Sequence, residues 1–194
     1  ALTVLIALFL QGKPQSEAQV VFVNKKQSIS KGVTQLLKKT QMWCIFLYSS
    51  AIYLSLPLLG AFWGTTYLTT KGFKSPQAAF IVSMIWLGLA IGSPLWGKTS
   101  DRLKRRKPFI VSCAIIGVIC SLLILFGSFN HIFVLCVLFF CIGLAGSGQN
   151  IGFALITENA SSSLRATALG LNNTLLMAMA ALIPPLVTLI IKSN

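Results

Sequence analysis

The residues of this chain that could do chemistry are few, and most of them lie between apolar segments. The acidic residues are Glu17, Asp101 and Glu158, and the single histidine is His131. The sequence contains no nucleophile paired with a base, no phosphate-binding glycine loop and no group of residues spaced as metal ligands. We therefore expect no enzymatic activity, no cofactor and no metal site.

The densest group of charges lies in the stretch GKTSDRLKRRKP, residues 97–108. Asp101 and Arg102 are adjacent opposite charges, and Arg105 and Arg106 belong to the basic run that follows them. A carboxylate at the end of one helix is stabilised by the positive N-terminal end of another. These residue types predict a contact between helix ends rather than a reaction.

The elements that must position these charges are membrane-spanning helices. Hydrophobic residues make up 55% of the 194 residues and charged residues only 10%, whereas a soluble domain carries roughly a quarter charged residues. The apolar runs are long enough to cross a hydrocarbon core of about 30 Å. We expect an all-α, multi-pass transmembrane bundle with spans at residues 42–68, 76–96, 108–129, 132–156 and 166–191.

Two further segments precede this bundle of residues 42–194. Residues 1–10 are apolar and are predicted to be the end of a transmembrane helix whose beginning is missing. Residues 11–41 are polar and rich in lysine, and we expect them to form a cytoplasmic basic loop. Near its end, Ile29, Val33, Leu36 and Leu37 recur at helical spacing, which predicts an amphipathic helix on the membrane surface.

The basic residues predict the orientation, because loops rich in Lys and Arg stay cytoplasmic. Of the 16 basic residues, all but Lys71, Lys74 and Lys192 fall on one side of the predicted spans. The formal charge of +13 therefore indicates contact with anionic lipid head groups. Nucleic acid is excluded as a partner, because the cations lie in short loops rather than along one face with stacking aromatics.

Glycines at helical spacing predict close packing of two spans. Gly88 and Gly92 form a GxxxG pattern in the second span, and Gly143 and Gly146 lie in the fourth. Because a glycine has no side chain, such positions allow two helix backbones to approach each other in a membrane.

The charged stretch also resembles the inter-helix signature of the major facilitator superfamily. Asp101 and Arg102 match the signature, and residues 105–107 match its basic cluster. Gly97 matches its first glycine, which would let two helix ends approach closely. Lys104 stands where the family usually has a second glycine. The family carries the signature twice, and this departure favours the second, more degraded copy, between helices 8 and 9.

The resemblance implies a fold and a function. It implies about half of a 12-helix fold, from the end of helix 6 through helix 11, in a secondary active transporter that moves a small solute by rocker-switch alternating access. The partners would be the small-molecule substrate and the missing N-terminal half. The location would be the plasma membrane, as in a bacterial inner membrane.

The resemblance further implies a cytoplasmic gate built from charges. Asp101 would contact a helix of the missing half, and either Arg102 or Arg105 could pair with Glu158. The connector from Glu158 to Arg165 resembles the family's loop between helices 10 and 11. The alternative for the basic run, Arg106 included, is that it only fixes the topology.

Helices 7, 8, 10 and 11 of the family face a central cavity. The corresponding spans place these cavity candidates at mid-depth: Tyr48, Tyr53, Trp86, Gln149, Asn150, Asn172 and Asn173. Amides need partners in hydrocarbon, and the alternative for each amide is a bond between helices rather than to substrate. Two other functions stay open: a non-transporting membrane sensor or interaction protein, and an inert fragment of a transporter.

Overall fold

The computed structural model describes residues 29–193, and within them the chain forms helices and turns without a strand. The helices are α1 Ile29–Leu37, α2 Thr40–Pro57, α3 Gly64–Thr70, α4 Ser75–Leu103, α5 Lys107–Phe126, α6 Ile132–Gly146, α7 Gln149–Asn159 and α8 Arg165–Ser193. A π-helical turn, Leu58–Phe62, follows α2, and a 3-10 turn, Ser162–Leu164, precedes α8. The helix end predicted at residues 1–10 lies outside the described residues, as does most of the basic loop.

Five segments of the described chain are long and apolar enough to cross a membrane. They are Thr40–Phe62, Ser75–Leu103, Lys107–Phe126, Ile132–Asn159 and Ser162–Leu189. A spanning helix satisfies its own backbone hydrogen bonds, which lipid cannot do. The prediction of an all-α, multi-pass transmembrane bundle is confirmed, and the chain is an integral, multi-pass membrane protein.

The boundaries differ from the prediction at the charged stretch. Residues 97–108 were expected to form a loop, but α4 continues to Leu103 and only residues 104–106 separate it from α5. No proline interrupts α4 between Trp96 and its end, and Pro108 lies in the first turn of α5, where a proline is tolerated. The second and third spans are therefore joined by a very short turn.

Two predicted spans are also interrupted. In the first, Pro57 ends α2 and the π-helical turn Leu58–Phe62 follows, because a proline cannot donate the next backbone hydrogen bond. In the fourth, Ser147 and Gly148 separate α6 from α7. Hydropathy alone does not predict these breaks, since each span as a whole is long and apolar enough to cross a membrane.

The closest helix pair is α4 with α6, and glycine makes it possible. A Cβ atom on Gly143 would overlap the carbonyl oxygen of Ile85, and one on Gly88 would overlap that of Phe140. At Gly92 a Cβ atom would overlap the Ser147 hydroxyl. The expectation of close packing at these glycines is confirmed, since each approaches the neighbouring helix too closely for any side chain.

Helix α1 packs on the end of the bundle that the loop charges predict to be cytoplasmic. The side chain of Leu36 is buried in a cluster with Met42, Phe46 and Leu164, and a Cβ atom on Gly32 would meet Leu164. The predicted amphipathic helix is therefore present, but its buried face contacts protein rather than being free to contact lipid. Lys38 and Lys39, which follow it, are exposed.

The opposite end of the bundle is joined by side chains that bond to backbone. The Tyr67 hydroxyl donates to the carbonyl of Ile124, and Lys71 Nζ donates to that of Gly127 at 3.0 Å. The Lys71 ammonium lies 4.8 Å from the centroid of the Tyr67 ring. The connectors predicted to be outside therefore meet at one end of the bundle, away from α1.

The contact between α4 and α6 predicts that Gly143→Ala destabilises the protein by about 1–3 kcal/mol, because the added methyl group forces the two backbones apart. Gly117→Ala is the matched control, since its Cβ would lie 3.5 Å from Ala145 Cβ, an ordinary contact. Thermal unfolding in detergent measures both. An equal midpoint for the two variants would contradict this packing.

Candidate functional site

The charged groups at the predicted cytoplasmic end of the bundle meet at Arg106. Its Nη2 and Nε donate to Oε1 of Glu158 at 2.7 and 3.1 Å. Its Nη1 donates to Asp101 and, at 3.0 Å, to the Ser100 hydroxyl. One guanidinium thus joins the end of α4 to the end of α7, and hydrogen bonds of this charged kind are stronger than neutral ones.

Local structure accounts for this geometry. Ser100 and Asp101 lie in the last turn of α4, and the turn at residues 104–106 brings Arg106 back beside them. The Arg106 side chain is only 19% exposed, whereas those of Asp101 and Glu158 are 65% and 48% exposed. The hydrogen bonding of the Arg106 guanidinium to the Glu158 carboxylate is the main cause of the raised pKa of Arg106.

The structure corrects the expected pairing. Arg106 contacts Glu158, whereas Arg102 and Arg105 are exposed and make no such contact. The sequence could not distinguish the three arginines, because the choice depends on the direction of the short turn. Ser100, whose hydroxyl accepts a hydrogen bond from Arg106, was not among the predicted residues. Its position next to Asp101 is the only feature of the sequence that points to it.

Two other residues of the predicted gate lie nearby. Arg165 opens α8, and its Nε donates to the carbonyl of Thr157 at 3.1 Å, near the end of α7 where carbonyls lack helical partners. Gly97 has open space within 4 Å of the position of a Cβ atom. The expected close approach at Gly97 is therefore not made by any described residue.

The backbone conformation of Lys104 shows why a glycine is usual at this position of the signature. Lys104 caps α4 in the left-handed conformation, with φ 50° and ψ 27°, and it is the one described non-glycine residue with positive φ. Glycine is favoured at such a position because it has no Cβ. The chain thus keeps the turn that a glycine would form, at a cost in conformational energy.

This conformation predicts that Lys104→Gly stabilises the protein by about 1 kcal/mol, since a side chain in the left-handed region costs roughly 1–2 kcal/mol. Lys107→Gly is the control, because it lies in the first turn of α5 and should be neutral or destabilising. The unfolding midpoints in detergent measure the difference. A lower midpoint for Lys104→Gly would show that this turn is not left-handed.

The ion cluster predicts which arginine couples to Glu158. In a double-mutant cycle, Arg106→Gln with Glu158→Gln should give a coupling energy of about 1 kcal/mol. This is the upper end of the range for solvent-exposed ion pairs. The same cycle with Arg105→Gln should give a coupling near zero. Thermal stability in detergent at low salt measures both cycles, and a larger coupling for Arg105 would overturn the pairing.

The break between α6 and α7 is the most polar feature within the spans. Carbonyls at this break accept bonds from side chains: Trp96 Nε1 donates to the Leu144 carbonyl at 2.9 Å. The Tyr48 hydroxyl donates to the Gly148 carbonyl at 3.4 Å, in addition to the backbone N–H of Ile151. The Ser147 hydroxyl also donates to Leu144, at 2.6 Å. Irregular backbone at membrane depth is tolerated only where protein or water satisfies it in this way.

A cavity of about 340 Å³ lies beside this break, between α2, α5 and α6. Its polar lining includes the side chains of Tyr48, Ser55, Cys113 and Ser121. A Cβ atom on Gly148 would meet both Cys113 and the Tyr48 hydroxyl at 2.8 Å. Cys113 is buried and also lines this cavity.

A second, wider groove of about 620 Å³ opens between α7 and α8. Phe153, Thr157 and Asn173 are among its lining residues. Asn173 is exposed, as is Asn150 near the start of α7, and Gln149 beside it is half-buried. The groove thus presents aromatic, hydroxyl and amide groups at the surface of the bundle.

Asn172 has a different environment from Asn173. It is completely buried, and neither Oδ1 nor Nδ2 has a hydrogen-bond partner within the part of the chain that the structure describes. The hydroxyls of Ser49 and Ser50 on α2 are also buried without a hydrogen-bond partner among the described residues. Burial of an unpaired amide is costly, so the expected bond between helices is not seen at Asn172.

The remaining candidates lie elsewhere. Tyr53 packs, half-buried, against the core of α4 and α6, and Trp86 is 48% exposed on α4. The seven predicted cavity residues are therefore not gathered in one cavity of the described residues. Tyr48 lines one space, Asn173 lines another, and Trp86 lines neither.

Comparison with known proteins gives a family and a relative. The sequence model of the Major Facilitator Superfamily matches residues 1–184. The 3-(3-hydroxy-phenyl)propionate transporter of Escherichia coli (strain K12) is 29% identical over 177 residues, which cover 86% of this chain and 40% of that protein. The chain thus spans about two fifths of the length of this relative. No solved structure matches.

Proposed function

This chain belongs to the Major Facilitator Superfamily, and we propose that it supplies one half of a secondary carrier that moves a small organic solute by alternating access. The other half of the cavity would come from an N-terminal bundle with which this one pairs. The chain would bind the solute and change conformation around it, without chemical catalysis. Its location in a membrane, as an integral protein with several spans, fits this role.

The exposure of amides at mid-depth is the observation that carries the proposal. Asn150 lies nine residues from the end of α7 and Asn173 eight residues from the start of α8, which places both roughly 12–14 Å from the inner helix ends. Both side chains are exposed. Amides are unfavourable against lipid tails, so this face of α7 and α8 is better suited to a hydrated cavity than to the bilayer.

The proposed solute class is an aromatic carboxylate. The relative from Escherichia coli is a transporter whose name specifies such a compound, and the described spans offer aromatic, amide and hydroxyl groups. The middle of these spans carries no Lys, Arg, Asp or Glu. A carboxylate would therefore be bound here through hydrogen-bond donors, and a charged counterpart would belong to the other half.

The inner ion cluster is proposed as part of the gate. Arg106 joins α4 and α7 in this state, and the Asp101 side chain remains 65% exposed, so its free oxygen could contact a helix of the other half. When the inner side opens, the contact of Asp101 with the other half would break, whereas the bond between Arg106 and Glu158 would keep this half rigid. Exposed Arg102 and Arg105 are free to meet lipid phosphates.

The test is uptake of radiolabelled aromatic carboxylates into proteoliposomes that contain the complete protein carrying this chain. We expect saturable uptake, and we expect Asn173→Leu to lower it at least tenfold, because an amide facing the cavity is lost. Asn159→Leu is the control, since its amide bonds to the Leu155 carbonyl at the end of α7. Binding without flux would favour the sensor function, and absence of both would reject the proposal.

A further inference from the structure

Trp86 is placed where a membrane tryptophan is unusual. It lies 11 residues from the start of α4, roughly 16 Å along the helix, and so near the middle of the span. Its side chain is 48% exposed. Tryptophans of membrane proteins concentrate at the two interfaces, where the ring is apolar on one side and hydrated on the other.

The indole N–H of Trp86 is available for a ligand. Trp43 and Trp96 donate their N–H groups to the carbonyls of Leu37 and Leu144 at 2.8 and 2.9 Å. Trp86 donates to none of the described residues. An indole N–H usually finds a partner when it leaves water, so this exposed ring combines an aromatic surface with an unused donor.

The position of the ring is set by Gly60. A Cβ atom on Gly60 would lie 3.2 Å from Cζ2, 3.5 Å from Cε2 and 3.7 Å from Nε1 of Trp86. The indole therefore lies directly against the backbone of Gly60, leaving its other side exposed. Gly60 belongs to the π-helical turn Leu58–Phe62 that follows Pro57, and such turns are frequent at functional sites.

We propose that Trp86 is the surface on which this carrier recognises the aromatic ring of its solute, and that Gly60 is the residue that positions it. The proposal rests on the proposed function. An aromatic ring stacks on the indole, and an oxygen of the same solute accepts the Nε1 hydrogen bond. Aliphatic carboxylates of similar size cannot stack on the indole, so Trp86 determines the specificity for aromatic solutes.

Three variants separate the contributions. Trp86→Phe keeps a ring but removes the N–H donor, and the KM for an aromatic carboxylate should rise about threefold to tenfold, as for one hydrogen bond. Trp86→Leu removes ring and donor, and should raise that KM more than tenfold, with a smaller rise for an aliphatic carboxylate, which loses at most the hydrogen bond. Gly60→Val should resemble Trp86→Leu, because its side chain displaces the indole.

The control is Trp43→Phe, which removes an indole N–H at the inner end of α2 and should leave the KM unchanged. Quenching of tryptophan fluorescence by the aromatic carboxylate gives a second measurement, and Trp86→Leu should abolish the saturable part. Loss of thermal stability and of transport for aromatic and aliphatic solutes alike would show that Trp86 only packs against another helix, and would overturn the proposal.

The proposed function and this inference fail in different ways. If the unchanged protein neither binds nor moves aromatic carboxylates, the proposed function is wrong. If it moves them and Trp86→Leu keeps the unchanged KM, the carrier stands and the role of Trp86 is wrong. If Trp86→Leu affects the KM but Gly60→Val does not, Trp86 contacts the solute and the positioning role of Gly60 is rejected.

Discussion

The structure depends on one constraint, which is that lipid supplies neither hydrogen bonds nor a hydrophobic force between helices. Each span must therefore satisfy its own backbone, and association must come from close contact. The contact of α4 with α6 meets this requirement through Gly88 and Gly143, where the neighbouring carbonyl occupies the place of a side chain. The large apolar residues then serve two purposes. Phe139 is buried in the core, while Phe126 and Leu125 on α5 are exposed to the surroundings.

The same constraint explains where irregular backbone occurs. At the break formed by Ser147 and Gly148, Trp96 of a neighbouring helix donates to the Leu144 carbonyl, and Tyr48 adds a hydrogen bond to the Gly148 carbonyl. Side chains that satisfy backbone also fix the relative positions of the helices that carry them. A bundle built in this way can move as a unit, as the proposed alternating access would require. At the predicted cytoplasmic end, Arg106 adds a polar connection between α4 and α7.

Much of this fold could be predicted from hydropathy and loop charge, because span length and cation placement are direct consequences of the bilayer. The candidate site was harder to predict from the sequence. The pairing of Arg106 with Glu158 depends on the left-handed conformation of Lys104, which no periodic pattern encodes. Asn172 is buried and Asn173 is exposed, and this difference depends on how α8 is rotated about its axis relative to α2. The contact of Trp86 with Gly60 depends on a π-helical turn after Pro57, and only the proline was visible in the sequence.

The most direct test of this architecture is the sidedness of its two ends. Single cysteines would replace Lys104 and His131 in a protein whose five native cysteines have been removed, and an impermeant maleimide would be applied to intact cells and to inverted vesicles. Five alternating spans with the cationic end inside predict labelling of position 131 in cells and of position 104 only in inverted vesicles. Labelling of both positions from the same side would contradict the arrangement of the spans, and labelling of position 104 in cells would reverse its orientation.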